Sequence, residues 1–252
     1  MAALNSAPNA RQKAWGADRK PRAAEAGQLS FAERVTWGGP RKGAGRKKRL
    51  VRSNVRHRVR PGHPWYHPVH VTLRRAKGLP GLRSELLYNE LREAVRLTRR
   101  DDFRIVQYSV QRDHVHMLVE AYDAAALAAG MKSFAVRAAR RLNSRALRRR
   151  GSVWAERYHR RDLGSPRDVR NAIVYVMNNH LKHHVFDEGL VDPCSSAPWF
   201  DGWMHKPDPP DEPSPVEPAR TWLLRRGWHD GIHFLHRGEL PRALRAATRR
   251  ID

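Results

Sequence analysis

The sequence predicts an α+β sandwich of ferredoxin-like type, an antiparallel sheet with helices packed on it. Three observations predict it. Stretches of period-two hydrophobicity alternate with helical-period stretches in the order β-α-β-β-α-β-α. Two of the strand-like stretches are separated only by Gln111, Arg112 and Asp113, so they read as a hairpin. No stretch approaches the roughly 20 apolar residues of a membrane-spanning helix.

Residues 1–61 precede this pattern and read as a basic, disordered arm. Positions 41–60 hold ten Lys or Arg and no acid, interrupted by Gly43 and Gly45. Such a segment buries too little apolar area to offset its ordering entropy. Order begins near Trp65. Val69, Val71 and Leu73 share one face of a strand, and Ser84 reads as the N-cap of a helix over 85–99 carrying Leu87, Leu91 and Val95 at helical spacing. The hairpin strands cover 103–110 and 114–120. A second helix, 124–147, begins Ala-rich and ends in arginines, which suit a helix C-terminus. A short strand is expected between Val153 and Tyr158. Ser165, Pro166 and Asp168 open a third helix, running to about His184, with Ser as cap and Pro in the first turn. The organisation expected is therefore an arm (1–61), a main domain (62–204), a Pro- and acid-rich linker (205–218) and a small C-terminal appendage (219–252).

The charge balance narrows the function. The 252 residues carry 49 Lys+Arg against 25 Asp+Glu, a formal net charge of +24 and a pI near 11.4. Such a chain faces a polyanion, with nucleic acid the first candidate and an anionic membrane surface the second. Residues 1–10 lack a charged-then-apolar leader, and Cys194 is the single cysteine, so neither an internal disulfide nor a Cys-based zinc cluster is available. The expectation is a reduced, cytoplasmic, nucleoid-associated protein without a membrane partner. The preference for Arg and Ala suits a GC-rich bacterial genome.

His114 and His116, one residue apart on a strand, project from the same face. Taken alone, the pair reads equally as two polar residues on a wet sheet. Tyr175 and Asn179 fall one turn apart on the third helix, and Tyr175 alone reads as an amphipathic core residue. Together the four suggest phosphodiester chemistry. Two imidazoles and a carboxamide oxygen can hold a divalent cation, and a neighbouring phenol can attack phosphorus.

The segment from Tyr108 to Leu118, with its His-hydrophobic-His core, resembles the motif of the HUH single-strand transposases. The segment from Ala172 to Asn179 resembles their catalytic-tyrosine helix. Within that superfamily the chain most resembles the REP-associated tyrosine transposases. Pro68–Leu73, Asn143, Val153–Tyr158 and Asp192–Ala197 add to the resemblance. It implies an HUH-nuclease sandwich with Tyr175 as nucleophile and His114, His116 and Asn179 as ligands of Mg²⁺ or Mn²⁺. Two departures stand out: Arg112-Asp113 where the family has Pro-Asn, and His180 where it usually has Pro.

The activity implied is a metal-dependent nicking and joining of single-stranded, hairpin (REP-like) DNA through a 5′-phosphotyrosine intermediate, by a monomer or homodimer. Glu120, on the strand face of the two histidines, is a candidate to orient a metal-bound water. Candidate DNA contacts are Arg46, Lys47, Lys48 and Arg49 in the arm and Arg137, Arg140, Arg141 and Arg145 on the second helix. The rival reading is a basic nucleic-acid-binding protein of the same fold that does not nick.

Overall fold

A computed structural model describes residues 62–183, 191–208, 210–229 and 234–240. The arm, with Arg46, Lys47, Lys48 and Arg49, lies outside the described residues, as do His184 and residues 241–252.

Four strands form one sheet: β1 (Val69–Arg74), β2 (Phe103–Val110), β3 (His114–Ala121) and β4 (His159–Asp162). Their spatial order is β2-β3-β1-β4 and all pairs are antiparallel. This is the ferredoxin-like arrangement predicted from the order of elements. β1 connects through helix α1 (Glu85–Arg96) to β2, and β3 through helix α2 (Ala124–Arg141) to β4. Helix α3 (Pro166–Met177) follows β4.

The two faces of the sheet carry different layers. Val69, Val71 and Leu73 of β1 and Val115, Met117 and Val119 of β3 share a core with Leu87, Leu91 and Val95 of α1 and Leu127, Met131 and Phe134 of α2. α2 lies so close to the sheet that a Cβ on Gly130 would fall 2.1 Å from the Phe103 ring, so glycine is the residue that fits there. On the opposite face, Leu118 and Val106 pack with Val169, Ile173 and Val176 of α3 and with Phe200, Trp203, Leu224 and Trp228 from the C-terminal part of the chain. A bulge between Ile105 and Gln107 adds a residue to β2, and Val106 belongs to this second core. The helices thus cover both faces, making three layers.

Three boundaries differ from the sequence expectation. The strand after α2 is 159–162; at the predicted position Trp154 makes only an isolated bridge to Arg75. Arg160, Arg161 and their neighbours show no apolar alternation because β4 is an edge strand, for which charge is a normal composition. α1 ends at Arg96, where the Thr98 hydroxyl donates to Ala94 O at 2.7 Å. α3 ends at Met177, not near His184. Asn178 caps it and its carboxamide donates to His236 O and Glu239 O, at 3.2 and 2.9 Å. A 3-10 turn, Asn179–His183, continues the chain.

The stretch expected as a linker is a strap. Glu217 N donates to Ile105 O of β2 at 3.0 Å, and Arg92 and Arg99 pair with Glu212 and Glu217, each at 2.7 Å. Upstream, Val110 N donates to Cys194 O and Ser196 N to Tyr108 O. The β2 edge is thereby paired rather than open. Asp192, fully buried, anchors this ribbon: its oxygens accept two bonds from the Arg83 guanidinium at 2.7 and 2.9 Å and one from Cys194 N. Among the described residues, no helix is long and apolar enough to cross a membrane.

Candidate active site

Antiparallel register sets out the site as a grid. His114 lies opposite Arg74, His116 opposite Thr72, and Leu118 opposite His70. On the far side of β1, Thr72 faces His159 and His70 faces Arg161. Directly paired residues point to the same face. All of these side chains therefore stand on the α3 side, where other sheets would carry apolar residues.

His114 and His116 meet there. Their Nε2 atoms are 2.7 Å apart and their rings perpendicular. Each ring is oriented through its other nitrogen. His114 Nδ1 lies 2.6 Å from Asp113 Oδ1; His116 Nδ1 lies 3.1 Å from Thr72 Oγ1 and 3.2 Å from His70 Nε2. With a proton on each Nδ1, both Nε2 atoms are acceptors open to a cation; with the proton of one ring on Nε2, the 2.7 Å approach is a hydrogen bond between the rings.

The Tyr175 ring packs edge-on against both His116 and His70, with centroids at 4.9 and 5.7 Å. It is half-buried, and burial raises its pKa above the ordinary phenol value. Its position in the last turn of α3 is what brings it over the histidines. His70 is held down to about 4 by burial first, then by the positive charges of Arg161 and His114. It is neutral at neutral pH and available as an acceptor.

Asn179 is in the turn after α3 rather than on the helix, because Asn178 ends it. It is buried, and its Oδ1 makes no hydrogen bond. Among the described residues no group of three or more His, Cys, Asp or Glu converges as a metal site. Imidazole nitrogens and carboxamide oxygens are donor types that suit a divalent cation.

Two expected residues have other tasks. Glu120 does not turn to the histidines. Its carboxylate accepts from Arg220 N, Thr221 N and the Thr221 hydroxyl at 2.7–2.9 Å and lies 3.7 Å from Arg104 Nε. It fastens the C-terminal segment to the sheet. Arg141 pairs with Glu90 at 2.7 Å, tying α2 to α1. Arg137, Arg140 and Arg145 are exposed. Trp228 is buried in the second core, while Trp222 is exposed.

Sequence reading missed His70, Thr72 and Asp113. The alternation of β1 already separated His70 and Thr72 from the Val69–Val71 face, but only the pairing register sets them beside His116. Asp113 stands where the resembled family has Asn, and it orients the first histidine.

Comparison with known proteins agrees with the motif reading. The model of the IS200-like transposase family matches residues 63–179. No curated protein matches the chain. A solved REP-associated tyrosine transposase bound to a REP hairpin is similar at 17% identity and a TM-score of 0.43, over 51% of this chain and 74% of that one. The matched stretch runs from just before β1 to Asn179 and contains both histidines and Tyr175. Over residues 63–179, just under half of its length, the chain is similar to the IS200-like transposase family.

Proposed function

We propose that the protein cuts and rejoins single-stranded DNA by way of a covalent link to Tyr175, on hairpins of the kind found in repetitive extragenic palindromes. The observation that carries this reading is the Tyr175 ring lying against His116, whose Nε2 faces that of His114 at 2.7 Å. The REP branch rests on the sequence resemblance at 108–118 and 172–179.

The phenol oxygen attacks the scissile phosphorus and gives its proton to solvent, the bond to the 3′-oxygen breaks, and the departing oxygen takes a proton back from solvent. The products are a 5′-phosphotyrosine and a free 3′-hydroxyl. A 3′-hydroxyl from another strand reverses the step, forming a new phosphodiester and releasing the phenol. The covalent bond conserves the energy of the one broken, so no nucleotide cofactor is required. A divalent cation, Mn²⁺ more readily than Mg²⁺ given two imidazoles, would be held by His114, His116 and Asn179 and would supply Lewis-acid polarisation of the phosphate oxygens. Asp113, Thr72 and His70 fix the two imidazoles in the tautomer that leaves Nε2 available. Burial raises the Tyr175 phenol pKa, which favours its protonated form. Such an enzyme works at the nucleoid.

The test is incubation of labelled hairpin oligonucleotides bearing single-stranded flanks with the protein and Mn²⁺. A denaturation-resistant adduct is expected, abolished by EDTA and by Tyr175→Phe, while binding to the hairpin persists in the variant. An undiminished adduct in Tyr175→Phe removes the nucleophile assignment. Binding without any adduct from the unaltered protein returns the chain to the class of non-nicking binders.

A further inference from the structure

The chain between α2 and α3 is unusually basic. Residues 148–161 contain six arginines and one acid, Glu156. They follow one edge of the sheet. Ala76 N donates to Val153 O and Ala155 N to Arg74 O, and then β4 pairs with Val69–Thr72 of β1. No outer partner strand pairs with β4 among the described residues.

At the start of this edge lies a groove. α2 ends in a π-helical turn, Leu142–Ala146, after which Arg148 takes a left-handed conformation (φ 46°) and Gly151 a φ of 117°. The Asn143 carboxamide donates to Gly151 O at 2.8 Å and Arg149 N donates to Asn143 O at 2.9 Å, so the loop folds back on the helix end. The result is an open concavity of about 810 Å³ lined by Arg140, Arg148, Arg149, Arg150 and the backbone of Gly151. Four arginines contribute to its lining beside Val136, Ala139, Asn143 and Ser144, and no carboxylate does. Exposed arginines with no carboxylate among them favour an anionic partner.

At the end of the edge lies Arg161. Its side chain is 70% exposed and one terminal nitrogen donates to Asp168 Oδ1 at 2.8 Å, at the start of α3. It pairs across β1 with His70, on the face that carries Tyr175.

We propose that the edge from Arg148 to Arg161 is a phosphate track for DNA: the groove at the end of α2 holds the backbone of the hairpin, and Arg161 meets a phosphate adjoining the one that faces Tyr175. The inference rests on the reading of the chain as a DNA-cutting enzyme and adds the path of its substrate. It assigns the exposed Arg140 a place in a built hollow, and it adds Arg148 and Arg161.

Two measurements test it on the full chain. The first is fluorescence anisotropy with a hairpin oligonucleotide across 50–200 mM salt, a range over which phosphate contacts are lost measurably. Arg140→Gln with Arg148→Gln should weaken binding roughly tenfold and reduce the slope of log affinity against log salt by about 2, one per contact. The Lys versions of both residues should restore the slope. Arg96→Gln with Arg100→Gln removes the same charge from the end of α1 and should leave the slope unaltered. Equal slopes for the two Gln pairs overturn the groove.

The second measurement uses oligonucleotides with a single neutral methylphosphonate near the cleavage site. One position should slow adduct formation by the unaltered protein, and Arg161→Gln should be indifferent to that position. If Arg161→Gln keeps the same sensitivity, Arg161 is not the contact. Should no adduct form with any oligonucleotide, the cutting reading fails, and the salt slopes still decide the groove.

Discussion

The two faces of this sheet use the same strands for opposite purposes. Toward α1 and α2, β1 and β3 present Val69, Val71, Leu73, Val115, Met117 and Val119, all nearly devoid of solvent exposure. Toward α3, the alternate positions hold His70, Thr72, His114 and His116. The first face is a burial surface that closes with helices adjacent in sequence. The second spends its centre on hydrogen-bonding groups, and its apolar closure combines Val169, Ile173 and Val176 of α3 with Trp203, Leu224, Trp228 and Leu235 from far along the chain. A face given over to polar groups, as the proposed site requires, cannot also supply the full apolar area of a core. Remote segments compensate for that deficit.

If the faces divide stability and chemistry in this way, damage to each should read out differently. The largest expected stability effect is on the α2 side. Phe134→Ala leaves a cavity under a fully buried ring and should cost about 4 kcal/mol in urea unfolding. Adduct formation per folded molecule should be unaltered; a parallel loss of activity would mean that the faces are coupled. Next comes the anchor of the ribbon on β2. Asp192→Ala strands the Arg83 guanidinium without its two-toothed partner and should cost roughly 3 kcal/mol. Amide exchange at Val110 and Ser196, which bond between the ribbon and β2, should accelerate before that of β1.

On the other face, Thr72→Val removes a hydroxyl 3.1 Å from His116 Nδ1. The expected stability cost is only about 1 kcal/mol, but Mn²⁺ affinity, read from the free-ion paramagnetic resonance signal, should fall by about tenfold or more. Unchanged affinity would show that His70 alone suffices to orient the ring.

The same division governs what the sequence made legible. β1, β2, β3 and α2 announced themselves because their periodicity is local and faces a core built from neighbours. The histidine pair was legible for the same reason, since alternation along one strand decides that both point one way. What stayed hidden depends on distant partners. β4 has no apolar alternation because the sheet ends there. The end of α3 is set by backbone carbonyls of His236 and Glu239, about 60 residues on. Glu120 shares the strand face of the histidines, so alternation linked it to them, but the amides of Arg220 and Thr221 claim its carboxylate. His70 and Thr72 become visible only when β1 and β3 are laid in register.

The smallest effect tests what holds Tyr175 in place. The Ser165 hydroxyl accepts from Asp168 N at 3.1 Å and donates to Asp168 Oδ2 at 2.7 Å, closing the first turn of α3. Ser165→Ala should cost about 1 kcal/mol and lower the melting temperature by about 3 °C. Tyr175, however, sits at the other end of that helix, against His70 and His116 and beside Asn178, whose carboxamide is tied to the C-terminal segment. Fraying at the first turn does not reach these contacts. The adduct rate should therefore change by roughly twofold or less, well under the tenfold that 1.4 kcal/mol at the barrier would produce. A tenfold loss in Ser165→Ala would show the opposite: that the cap, with Arg161 bound to the same Asp168, positions the tyrosine from nearly three turns away, and that the α3 face depends on its own helix more than on the distant segments that close it.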